Sequence, residues 1–364
     1  MKLRYIFVLL AFLGLCELDG QDVHYSYYQF APTIISPAFT GAYYGNIRAT
    51  AITRGQWFNV RAPQENGNQG FSSTSLFVDG NLPFGLKEDD WISLGINILI
   101  EGNTAGIFDT KRSFNGLSAA YHLSLSKKAN SVLTASFKYG SYGLGFTPNS
   151  SANSPWSLQN GVGIQDDDDF TNMISGISNN GDIQDNANDL AIGFMLTTPV
   201  GKNSDMRIGI ASDHLLQPRL KQDTTSNTGP NVGQGDRLTR RFNAYVQYFT
   251  DLSEKLTLNP SIVYQGMGPA KNILLQGLIG YTPNPSQDVT LNFGLGVRIA
   301  DNMDVPIYVG ADFKDWRVGL AFDTNVSGLT TATGNAGAYE LAVSKIFSWE
   351  KKTKVNPKFI CPRL

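Results

Sequence analysis

Cysteine is nearly missing from this chain. Only Cys16 and Cys361 occur among 364 residues, and Cys16 lies in the N-terminal apolar run. If that run is removed, a single thiol remains, no intramolecular disulfide is possible, and the fold is held by other means. Charge is also scarce, since Asp, Glu, Lys and Arg make up 16% of the chain against roughly 25% in ordinary soluble domains. The formal charge of −2 gives no reason to expect nucleic acid or an anionic surface as partner. The three histidines, His24, His122 and His214, are far apart in sequence, and none stands in a zinc spacing. Gly-x-Ser-x-Gly is absent, and no Ser or Thr nucleophile is singled out beside a base. No enzyme is therefore expected, and no catalytic, cofactor or metal residue is assigned. Beyond the N-terminus no run of eighteen apolar residues occurs, which excludes a transmembrane helix but not a closed barrel.

What is present begins with a short basic region, Met1-Lys-Leu-Arg4, an apolar core from Tyr5 to Leu15, and Glu17-Leu-Asp-Gly20. This reads as a secretory signal peptide over 1–20 with cleavage before Gln21. Cys16 offers a lipoprotein alternative, weakened by bulky Leu15 where a small residue is wanted. Residues 21–45 are aromatic and irregular, with Pro32 and Pro37 expected to break any regular element.

From residue 46 the chain alternates. Leu291, Phe293, Leu295, Val297 and Ile299 share one face of a stretch whose other face is Asn292, Gly294, Gly296 and Arg298. Trp316 to Asp323 repeats the scheme, as do about a dozen other stretches, because successive strand side chains point to opposite faces. Strands are expected at 46–59, 70–78, 91–101, 114–125, 131–146, 190–200, 206–215, 240–250, 255–265, 272–282, 289–300, 305–313, 316–323 and 338–347. That is about fourteen, an even number near ten residues each, the length that crosses a bilayer when tilted.

Both a membrane barrel and a soluble sandwich alternate, and three cues favour the barrel. The polar face is largely Gly, Ala, Ser and Asn rather than Lys and Glu. Short links (126–130, 201–205, 251–254, 314–315) fall by strand parity on one side and long ones (147–189, 216–239, 325–337) on the other, as periplasmic turns and extracellular loops do. Aromatics sit at strand ends: Trp57, Phe58, Tyr248, Phe249, Tyr264, Tyr281, Trp316, Phe347 and Trp349. Parity then puts both termini on the periplasmic side. Asp166-Asp-Asp-Asp169 is the densest charge cluster; it lacks calcium-loop spacing and reads as a solvated acidic loop. Gly193, Gly209, Gly294 and Gly296 read as barrel packing, because no helix follows them to cradle phosphate.

Several motifs together resemble the PorP/SprF family of the type IX secretion system in Bacteroidota. They are Gln21-Asp-Val-His-Tyr-Ser26, Ser36-Pro-Ala-Phe-Thr-Gly-Ala42, Arg54-Gly-Gln-Trp57, Phe322-Asp-Thr-Asn-Val-Ser327, Gly337-Ala-Tyr-Glu-Leu341 and Cys361-Pro-Arg-Leu364. The matching positions are Pro37, Gly41, Arg54, Gln56, Trp57, Tyr339, Glu340, Cys361, Pro362 and Arg363. Ser36 stands where the family usually has Asn, Val23 where Pro is common, and Leu364 where a terminal aromatic is usual.

The resemblance implies a non-enzymatic barrel in the Gram-negative outer membrane. It would help secretion or surface attachment of large cargo proteins, adhesins among them in gliding relatives, beside periplasmic and lipoprotein components. The expected organisation is all-β: signal peptide 1–20, a periplasmic or lumen-plugging segment 21–45, a single transmembrane antiparallel barrel 46–349, and a basic periplasmic tail 350–364. Its surroundings would be outer-membrane lipid, with cargo meeting the outer loops and no nucleic acid. The alternative function is an outer-membrane transport barrel for small solutes, since small lumen-facing residues also suit a pore. A soluble glycan-binding sandwich is the third reading.

Overall fold

The computed structural model describes residues 22–56, 70–83, 85–87, 89–103, 108–126, 131–148, 183–218, 237–284, 286, 288–300, 303–327 and 336–349. The expected signal peptide 1–20, Trp57, the acidic run 166–169 and the tail with Cys361, Pro362 and Arg363 lie outside them.

Fourteen strands follow one another around a closed antiparallel barrel. They are β1 (Ile47–Gln56), β2 (Phe71–Leu82), β3 (Trp91–Asn103), β4 (Phe108–Ser126), β5 (Ser131–Pro148), β6 (Ile183–Pro199), β7 (Ser204–Asp213), β8 (Arg241–Asp251), β9 (Leu256–Met267), β10 (Ala270–Tyr281), β11 (Val289–Ile299), β12 (Asp304–Phe313), β13 (Trp316–Asn325) and β14 (Ala336–Phe347). The seam is a full ladder from Ile47↔Phe347 to Gln56↔Ala338, so no edge is left unpaired, as a bilayer requires. Among the described residues no helix is long and apolar enough to span a membrane.

The alternation resolves into an outside and an inside. Leu295 and Leu320 are 62% and 55% exposed, whereas Arg298 and Asp323 are 1% exposed. A soluble sandwich would bury the apolar rows against each other; here they form the outer wall. Phe249 departs from its expected place at the outer girdle. It follows outward Tyr248 along β8, so the pleat turns it inward, where it is 5% exposed.

Three strands run far beyond the expected length near ten residues: β4, β5 and β6 have 19, 18 and 17. Their extra pairs join Thr110 to Phe146 and Gly143 to Asn186. The stretch Ile183-Gln-Asp-Asn-Ala-Asn-Asp189 thus belongs to β6 rather than to the long loop. Beyond the hydrocarbon layer neither face must be apolar, so the ladder continues while the alternation that reveals it fades. The long-loop end also carries short links, at 268–269 and 300–303, between β9 and β10 and between β11 and β12.

The segment before β1 is not irregular throughout. Pro32 opens a single α-helical turn, Pro32–Ile35, and Pro37 opens a 3-10 turn, Pro37–Phe39. Proline's fixed φ and missing N–H suit a first helical position, so both prolines start turns instead of breaking them. Ser36 caps the second turn, accepting from the Ala38 amide at 3.2 Å. An asparagine would cap equally well, which accounts for the departure at this position.

Candidate functional site

Residues 22–45 lie inside the barrel. Val23 and all residues from Tyr25 to Tyr43 are buried, and their partners are inward-facing side chains of the wall. The segment has little secondary structure, so its backbone polar groups need partners from elsewhere, and the strands supply them at three levels.

The first level lies toward the long-loop end. Glu340 on β14 accepts the backbone amides of Ser26 and Tyr27, both at 2.7 Å. Asp323 on β13 accepts the Ser26 hydroxyl at 2.7 Å. Arg54 on β1 bridges Asp323 at 2.8 Å and Glu340 at 2.5 Å. Arg298 on β11 pairs with Asp323 at 2.9 Å and also donates to the Ser26 hydroxyl. Arg54 and Glu340 face each other directly across the closing seam. One ion cluster therefore locks the barrel shut and grips the inner segment.

Further round the same end, Asp22 pairs with Arg241 at 2.6 Å and His214 at 3.0 Å. His214 also meets Asp189 at 2.6 Å, and Arg241 meets Asp213 at 2.9 Å. Burial opposes the charge on Asp22, but Arg241 and His214 outweigh it and hold the carboxyl well below the usual carboxylate range. Burial also opposes protonation of His214, yet Asp22 and Asp189 raise it to about 9, with Arg241 pulling the other way. A histidine raised in the folded state contributes stability that is complete below its unfolded value of about 6.5 and is lost as pH climbs through the folded value. Amide-exchange protection of residues 22–30, corrected for intrinsic rates, is thus expected to fall between pH 6.5 and 9. In His214→Gln that fall should be absent; an identical fall would remove His214 from the latch.

In mid-lumen, aromatic and small side chains fit together. Tyr27 meets Phe30 and Tyr308 edge-on at 4.8 and 5.2 Å, and Phe39 stacks on Tyr245 at 4.8 Å. Lys138 and Arg241 donate to the carbonyls of Thr33 and Ile34 at 3.3 and 2.9 Å. A Cβ on Gly319 would stand 2.6 Å from the rings of both Tyr27 and Phe30. Small inner-face residues, compatible with a pore when read from sequence alone, make room for this segment.

The third level lies at the short-turn end. Asp79 on β2 pairs with Arg48 at 2.8 Å and accepts the Gly41 amide at 2.6 Å. Arg48 donates to the Phe39 carbonyl at 3.0 Å, and His122 Nε2 lies 3.0 Å from that of Thr40. Gly41 has φ +71°, and a Cβ there would collide with Ser93 and Asn81, so glycine is required. His122 stacks on Trp91 at 4.5 Å and meets hydroxyls at Thr134 and Ser93. Among the described residues no group of His, Cys, Asp and Glu is arranged to hold a metal ion.

Of the motif positions, Pro37 and Gly41 are in the inner segment, and Arg54 and Glu340 form the seam cluster. Tyr339 faces outward beside Glu340, its ring lying over Gly55. Gln56 ends β1, paired with Phe71 and Ala338. Sequence reading placed Arg298 and Asp323 on the inner face without a role. Their signal was charge on a face otherwise made mostly of small residues.

These features define a class: an outer-membrane β-barrel with its lumen occupied by its own N-terminal segment. The chain belongs to the PorP/SprF family of type IX secretion system membrane proteins, whose model matches residues 17–344. Among curated proteins none matches the sequence. Solved structures share the fold. The toluene transporter TbuX of Ralstonia pickettii superposes with a TM-score of 0.50 at 11% identity, over 87% of this chain and 93% of that one. A Pseudomonas aeruginosa FadL homologue gives 0.50 and 11%, over 86% and 93%.

Proposed function

We propose that this chain is a plugged, non-enzymatic barrel that serves type IX secretion as a docking component, supporting secretion or surface attachment of large cargo proteins such as adhesins. The observation that carries this reading is the buried course of residues 23–43, tied to the wall by the Asp22–Arg241 ion pair near one end and by hydrogen bonds to Arg48 and Asp79 near the other. A lumen filled in this way offers no passage to a polypeptide. Contact with exported protein then falls to the long loops, above all 149–182. Contact with periplasmic and lipoprotein components falls to the short-turn end and the basic tail 350–364.

Deleting residues 150–182, which spares β5 and β6, should leave a heat-resistant barrel in detergent and abolish surface display of the cargo. Normal display of every cargo by that deletion would refute the docking role. A second reading, passage of small solutes, draws on the shared fold with a toluene transporter and requires the inner segment to yield. Uptake of small solutes by liposomes carrying the intact protein would favour it over docking.

A further inference from the structure

We infer that the short-turn rim of β12–β14 is a binding site for the headgroup of an anionic phospholipid, built around Lys345. Lys345 is the single charged side chain among the outward-facing described residues of these three strands; its neighbours on that wall are apolar, aromatic or Thr324. Its ammonium is held between two rings, 4.5 Å from the centroid of Trp316 and 4.8 Å from that of Phe347. Trp316 pairs across the ladders with both Lys345 and Phe313. Lys314, in the tight turn that follows, lies 5.1 Å over the Phe313 ring. Two cations and three aromatic rings thus share one patch at the strand ends.

Neither lysine has an ion-pair partner among the described residues, the exposed turn residue Asp315 included. A cation on a lipid-facing wall is tolerated where its stem lies along the apolar surface and its head reaches the interface. Aromatic rings sit at that same depth. The rings fix the direction of the Lys345 ammonium, so less freedom is lost when an anion arrives. With no carboxylate of the described residues paired to it, the complementary charge at that depth is a lipid phosphate. A headgroup with net negative charge is preferred because two lysines converge on it.

The test is native mass spectrometry of the detergent-solubilised full chain, titrated with phosphatidylglycerol or with phosphatidylcholine of the same acyl chains. The wild type should retain phosphatidylglycerol about five-fold more than phosphatidylcholine. Lys345→Gln combined with Lys314→Gln should lose that preference. Lys271→Gln, a substitution at an exposed lysine at the opposite end of β10, should keep it. Equal retention of the two lipids by the wild type would overturn the site, as would a preference undiminished in the double variant. If the double variant failed to form a heat-modifiable barrel, the wild-type comparison would decide alone.

Discussion

Arg54→Ala should release the inner segment at its long-loop end while the barrel wall persists. The substitution leaves Glu340 and Asp323, each at most 2% exposed, with Arg298 as the one remaining inner cation of the cluster. Removing one partner of a buried ion pair costs about 3–5 kcal/mol, because the other charge stays buried without compensation. Glu340 is also the acceptor for two backbone amides of the segment, so the cost falls on the segment's attachment and on the β1–β14 seam together. Amide-exchange protection of residues 25–30 is expected to drop by roughly a hundred-fold or more. Arg54→Lys keeps the charge but loses the planar guanidinium whose Nη1 reaches both carboxylates, and should fall between the two. Unchanged protection in Arg54→Ala would mean that the cluster does not hold the segment.

Deleting residues 22–45 should have the larger effect on the lumen. The wall's hydrogen-bond ladder is complete without the segment, so a barrel of the same strand number should still form and resist heat in detergent. Its inner face would keep the wall pairs Arg54–Glu340, Arg48–Asp79 and Arg241–Asp213, with water in place of the segment's groups. Cells or liposomes bearing the deletion should admit small hydrophilic solutes that the intact protein excludes. If the deleted barrel stayed impermeable, the wall itself would have collapsed and the segment would not be what closes it.

The fold was largely legible in the sequence because the strand signal is local. Rows such as Leu291-Phe293-Leu295 against Asn292-Gly294-Gly296 need only the pleat to be interpreted. The signal weakened where the environment stopped demanding an apolar face, which hid the outer ends of β4 and β6. Phe249 was misplaced because strand-end position was read without its phase along β8. The site was legible only in part. Arg54 and Glu340 stood among the motif positions, but their contact joins residues 286 positions apart in sequence, and no local spacing encodes that. Glycine on the inner face was read as space, and space alone does not say what fills it. Only the burial of Tyr27, Phe30 and Phe39 against that face answers the question.

The most direct test of the account is the single-channel conductance of the unaltered chain in a planar bilayer. A barrel stoppered by residues 22–45 predicts a quiet baseline, with steady current appearing only when those residues are removed. Sustained open channels from the intact chain would contradict it.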